Sequence, residues 1–197
     1  MTRIKLCGLS RPRDIETAND LMPDYIGFVF APKSRRYVTP DRAAELKALL
    51  NPRIKAVGVF VDEEPDMVAA IDAIDIIQLH GKEDETYIAR LRRLTSKPII
   101  KAFKAPNFEG VNDSSADMIL LDSGAGTGKT FDWNIIKDIK RPYFLAGGLD
   151  PANVAEAIRR LRPHGVDVSG GIEADGFKDK EKAARFVAAV RKEDNYD

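Results

Sequence analysis

The strongest constraint on this chain is an alternation kept up from end to end. Short runs rich in β-branched and aromatic residues are each followed by a stretch of helical periodicity. Strand-type runs fall at residues 4–8, 25–30, 55–61, 76–80, 98–103, 118–122, 143–146 and 166–169. Helical patterns fill 13–21, 40–50, 65–73, 83–94, 132–139, 151–161 and 179–190. Thr39 followed by Pro40 reads as an N-cap with proline in the first turn. Residues 104–117 break the rule, because Pro106, Gly110 and two adjacent serines make a poor helix. Each parallel pair of strands needs a crossover, so the alternation means a parallel sheet. An open doubly wound sheet and a closed barrel both satisfy it. Eight strands within 197 residues, with no linker or break in composition, favour the barrel. The expected fold is α/β: a single-domain (β/α)8 TIM barrel over 1–197, with an irregular connection replacing the fifth helix. That fold commonly takes ~250 residues, so the loops must be short.

Charge narrows the class of partner. Lys plus Arg and Asp plus Glu stand at 31 each, so nothing favours nucleic acid or an anionic membrane, and any anion site must be local. No apolar run reaches the ~18–20 residues of a membrane span. The first residues, Met1 to Cys7, alternate polar and apolar without a secretory apolar region, so a cytoplasmic location is expected. A lone cysteine makes neither an intramolecular disulfide nor a thiolate zinc site. His80 and His164 lack any metal-ligand spacing, so no structural metal is expected.

Barrel chemistry sits at the C-terminal ends of strands and on the loops that follow. Strand periodicity puts Lys5 and Cys7 on one face of the first run and Ile4 and Leu6 on the other. With the apolar pair packed outward, Cys7 points into the mouth with Lys5 one layer below. A nearby ammonium would lower the thiol from its usual ~8.5; a buried, inert cysteine is the alternative. Asp122 directly follows the apolar Leu120-Leu121, where partial burial would raise its pKa and suit it to general acid–base work. A strand-end cap accounts for it equally well. Arg35-Arg36, after the second run, would grip a carboxylate in bidentate fashion or simply be solvated. The pairs Gly147-Gly148 and Gly170-Gly171 follow the seventh and eighth runs, where barrels commonly hold a phosphate against backbone N–H groups. Residues 170–173 would supply the short extra helical turn of such a site.

The loop Gly124-Ala125-Gly126-Thr127-Gly128-Lys129-Thr130 looks like a nucleotide-binding P-loop. The motif needs glycine where Ser123 stands, so an NTP-binding regulatory protein fails on spacing. A glycine-rich loop over a barrel mouth fits better.

Together these segments resemble the phosphoribosylanthranilate isomerase family over essentially the whole chain. The marks are Lys5-x-Cys7-Gly8, Gly27-Phe28-Val29-Phe30, Ser34-Arg35-Arg36-Tyr37, Val57-Gly58-Val59-Phe60, Gln78-Leu79-His80-Gly81 and Leu121-Asp122. Gly126 through Trp133, Ala146-Gly147-Gly148-Leu149 and Val166-Asp167-Val168-Ser169 running to Glu173 complete the set. The resemblance implies an Amadori rearrangement of a small phosphorylated substrate, without metal or organic cofactor, by a monomer or homodimer. It makes Asp122 the general acid that opens the furanose ring and Cys7 the general base at C2′. Arg36 would hold the anthranilate carboxylate, and Gly147, Gly148, Ser169, Gly170 and Gly171 would cradle the phosphate. His80 and Asp167 would join them as substrate contacts. The family usually shows Ser-Ser-Gly after the eighth strand, whereas this chain has Ser169-Gly170-Gly171. Two other phosphate-binding barrels fit less well. A pentose-phosphate epimerase expects metal-binding His and Asp at strand ends, and only His80 is so placed. The aldose–ketose isomerase of histidine synthesis uses paired aspartates, and Cys7 stands in place of one.

Overall fold

The computed structural model describes residues 1–122, 136 and 138–194. Eight parallel strands close a barrel in chain order, β8 pairing back onto β1. They are β1 (Arg3–Cys7), β2 (Tyr25–Val29), β3 (Lys55–Phe60), β4 (Ile76–Leu79), β5 (Ile99–Lys104), β6 (Met118–Asp122), β7 (Tyr143–Ala146) and β8 (Gly165–Val168). Around them lie α1 (Pro12–Leu21), α2 (Pro40–Ala48), α3 (Pro65–Ala69), α4 (Glu85–Leu91), α5 (Val154–Leu161) and α6 (Lys180–Asp194). Only turns join β5 to β6, as the broken segment 104–117 predicted. The expected loop 124–130 and all but residues 136, 138 and 139 of the expected helix 132–139 lie outside the described residues.

Local chemistry sets the helix starts. The Thr39 hydroxyl accepts from Arg42 N at 3.1 Å and caps α2, as read from sequence. α4 begins two residues later than the periodicity suggests because Asp84 is its cap, accepting from Tyr87 N at 2.8 Å. α5 is shortened from 151 to Val154 because Asp150 Oδ1 takes Ala152 N and Asn153 N in a local turn. α3 ends at Ala69 rather than 73; beyond it Asp75 is tied to β3, exchanging bonds through Ala56 N and Ala56 O.

The strands alternate between two apolar layers. Ile4, Leu6, Ile26, Phe28, Ile77 and Leu79 pack outward with the helices in the larger core. Val57, Ile76, Ile100, Ala102, Leu120, Phe144 and Ala146 fill the barrel interior. Above that inner layer the inward positions turn polar, with Lys5, Gln78 and Asp167 all buried. Chemistry starts where the apolar filling stops.

After β8 a 3-10 turn (Gly170–Ile172) leads into a two-stranded hairpin, β9 (Glu173–Ala174) and β10 (Phe177–Lys178). Its loop is Asp175-Gly176, both at positive φ (52° and 83°), the twist that two-residue hairpins favour. Register sets Lys178 opposite Glu173.

Candidate active site

Cys7 ends β1 on the inward face, 7% exposed, as the strand periodicity requires. Its ladder partner is Gly27, where a Cβ would lie 2.6 Å from Cys7 Sγ. Lys5 lies two residues below, fully buried, its Nζ 2.9 Å from Asp167 Oδ1 on β8. One expectation is overturned here. Burial pushes the Cys7 thiol above its usual range; the Lys5 ammonium offsets only part of that, and the Asp167 carboxylate adds to the rise. Burial also works against the Lys5 charge, yet Asp167 and the Cys7 sulfur outweigh it and hold Lys5 above its ordinary pKa. Asp167, expected as a substrate contact, has its carboxylate on Lys5.

Asp122 ends β6 with its side chain 20% exposed. Its Oδ2 is 3.1 Å from His80 Nε2, and His80 Nδ1 is 2.9 Å from Gln78 Nε2. An amide nitrogen only donates, so Nδ1 accepts and the ring proton lies on Nε2, aimed at Asp122. Gln78 Oε1 is buried without a hydrogen-bond partner among the described residues. Inverting that amide would put the ring proton on Nδ1 and leave Nε2 to accept from a protonated Asp122. The pair can therefore follow either protonation state of the acid.

Arg36 lies over β1. A Cβ at Gly8 (φ 78°) would meet Arg36 Cδ at 2.4 Å and Ser169 Oγ at 3.2 Å, so the bare glycine makes room for both. The Arg36 guanidinium is held by Glu173, Nε to Oε1 at 2.6 Å and Nη2 to Oε2 at 3.0 Å. Arg35 bonds the same carboxylate, and Lys178 Nζ reaches Oε1 at 2.7 Å. Burial alone would raise Glu173, but Arg36 and Lys178 bring it down to about 2.

The glycine loops adopt backbone that a side chain would disturb. Gly147 and Gly148 both hold positive φ (86° and 66°), and a Cβ on Gly171 would strike Leu149 O at 2.0 Å. Ser169 Oγ donates to Cys7 O at 3.0 Å and accepts from Lys178 Nζ at 3.1 Å. Cys7, Arg36, Ser169 and the glycines after β8 thus gather at one sector of the mouth. Asp122 ends β6 and His80 follows β4, farther round the ring. A separate recess of about 580 Å³, lined by Lys140, Arg141, Arg162 and His164 among others, opens at the N-terminal ends of β7 and β8, away from these groups.

Sequence reading missed three of the residues tied to this site. Gln78 and Glu173 appeared in motifs without a role, and Lys178 did not appear. The turn pair Asp175-Gly176 between Glu173-Ala174 and Phe177-Lys178 is the signal that would have found the hairpin and its cross-strand pair.

Residues 4–189 match the family described as N-(5'-phosphoribosyl)anthranilate (PRA) isomerase. A relative of that name from Endomicrobium trichonymphae is 40% identical, over 97% of this chain and 99% of its own. The phosphoribosyl anthranilate isomerase structure from Thermotoga maritima superposes with a TM-score of 0.88 at 35% identity, covering 98% and 100% of the two chains. A second such structure, in complex with reduced 1-(o-carboxyphenylamino)-1-deoxyribulose 5-phosphate, gives 0.85 at 34% identity, covering 98% and 100%. With the fold, the strand-end pattern and these likenesses in agreement over nearly its whole length, the chain belongs to the N-(5'-phosphoribosyl)anthranilate isomerase family.

Proposed function

We propose that this chain carries out the Amadori rearrangement of N-(5-phosphoribosyl)anthranilate to 1-(2-carboxyphenylamino)-1-deoxyribulose 5-phosphate, a step of tryptophan biosynthesis, with Asp122 as general acid and Cys7 as general base. The observation that carries the assignment is that these two proton-transfer groups end different inward-facing strands of one barrel mouth. Asp122 gives its proton to the furanose ring oxygen, and the ring opens to a Schiff base. The Cys7 thiolate then takes the C2′ proton, and the resulting enolamine tautomerises to the ketone. Ring opening needs a proton on a poor leaving group, while the second step needs a base on another part of the sugar. Two groups on separate strands meet both needs.

His80 steers the Asp122 proton, and the buried Lys5 supports the Cys7 thiolate once Cys7 ionises. Arg36 binds the anthranilate carboxylate; Gly147, Gly148, Ser169, Gly170 and Gly171 bind the phosphate. The substrate is a small phosphorylated molecule, and the enzyme works in the cytoplasm as a monomer or homodimer.

The test is a fluorescence-decay assay on freshly made phosphoribosylanthranilate. Cys7→Ala and Asp122→Asn should each lower kcat by about 10²–10⁴-fold, the usual worth of a positioned acid or base, with unfolding midpoints near that of the wild type. A kcat close to wild type in either variant removes that residue from the mechanism.

A further inference from the structure

We infer that Glu173 and Lys178, a cross-strand pair on the β9–β10 hairpin, are positioning residues that fix the Arg36 guanidinium for the substrate's carboxylate and tie it to Ser169 of the phosphate cradle. The inference rests on the proposed role of Arg36.

Glu173 is no ordinary surface acid. Its two oxygens accept from Arg35, Arg36 and Lys178, and its side chain is only 6% exposed. It takes Arg36 along the Nε–Nη2 edge, and Nη1 has no hydrogen bond among the described residues. An arginine fork bound along one edge keeps donors on another for a second planar carboxylate. Substrate therefore adds to Arg36 rather than displacing Glu173, which two further cations retain.

Lys178 carries the second half of the argument. Its Nζ bonds Glu173 Oε1 at 2.7 Å, Ser169 O at 3.0 Å and Ser169 Oγ at 3.1 Å, so its three protons are spent between the two ends of the site. The hairpin that presents the pair is itself pinned. Arg11 lies over the Phe177 ring at 4.4 Å and donates to Lys178 O at 2.9 Å. An arginine free to wander would lose side-chain entropy on binding, and here that loss is already met in the folded protein.

The experiment combines steady-state kinetics on phosphoribosylanthranilate with competitive inhibition by inorganic phosphate, on wild type, Arg36→Met, Glu173→Gln, the double variant and Lys178→Met. Glu173→Gln should raise KM about tenfold, the equivalent of about 1.4 kcal/mol, with kcat little changed and phosphate inhibition unaltered. The double variant should have a KM no higher than Arg36→Met alone, since partners in one interaction are not additive. Lys178→Met should weaken phosphate inhibition as well as raise KM.

Unaltered KM in Glu173→Gln, or multiplicative effects in the double variant, would overturn the positioning role while leaving Arg36 as the carboxylate site. Unaltered phosphate inhibition in Lys178→Met would overturn the tie to Ser169. If Arg36→Met itself leaves KM unchanged, the underlying reading of Arg36 fails and the inference fails with it. Should Glu173→Gln not fold, Lys178→Met alone decides, and a KM equal to wild type overturns the proposal.

Discussion

Gly27 pairs with Cys7 across the β1–β2 ladder, and a methyl group on it would lie 2.6 Å from Sγ and 3.1 Å from the Cys7 Cα. Neither atom can yield cheaply, because the sulfur is enclosed and the backbone belongs to a barrel strand. Glycine weakens a strand interior, so its presence here marks a close approach by a neighbour. Gly27→Ala should leave a folded barrel destabilised by about 1–3 kcal/mol, the common range for overpacking. Turnover should fall far more than stability suggests, because the displaced group is the proposed base. Urea unfolding and kcat measured on one preparation check this, and a kcat within about twofold of wild type, a difference of only ~0.4 kcal/mol, would show that the sulfur's position is immaterial. The glycine was visible in the sequence as part of Gly27-Phe28-Val29-Phe30. Its purpose was not, since only the ladder register brings it against Cys7, twenty positions earlier.

The proposed phosphate cradle is a property of elements, formed where β7 and β8 hand over to loops, and its glycines are not equivalent. Gly171 has Leu149 O where a Cβ would go, whereas Gly170 meets only Arg36 Nη2, at 3.7 Å. A side chain therefore fits at 170 and not at 171. Gly170→Ser, which adds a hydroxyl there, should strengthen inhibition by inorganic phosphate several-fold, by about 0.5–1.5 kcal/mol for one added hydrogen bond. Equal inhibition constants would mean the backbone N–H groups alone carry the phosphate. Local pattern served well at this scale. Strand positions, the Thr39 cap, the broken fifth crossover and the short turn at Gly170–Ile172 all follow from period, proline and glycine. Prediction slipped where a side chain competes for the backbone, as with Asp84 and Asp150 at helix starts. It failed for Cys7, because burial inside the closed barrel outweighs the influence of Lys5, and Asp167, on the strand that closes the barrel, adds to the rise.

At the scale of the whole barrel, carboxylates join distant parts of the chain. Asp24 accepts Ile4 N at 2.9 Å and meets both Arg3 on β1 and Arg191 on α6, so it binds the first strand to the last helix. Asp75 joins Lys47 of α2 to Ala56 of β3, and Glu173 joins the loop after β2 to the hairpin after β8. Burial works to raise all three, but hydrogen bonds and neighbouring cations prevail, so each is held below its usual range, Glu173 down to about 2. A carboxyl depressed on folding contributes stability above its unfolded pKa, ~4 for these groups, and loses it as pH falls through the folded value. The native protein should thus lose stability steadily below about pH 4.5, and the Glu173 share should persist down to about pH 2. Urea unfolding at a series of pH values tests this with Glu173→Gln as the control. The variant should be less stable at pH 6, and its gap to wild type should narrow as pH approaches 2. A gap that stays constant across that range would mean Glu173 has the same pKa folded and unfolded, and that its four bonds hold geometry without adding stability. Its place at the mouth would then answer only to Arg36.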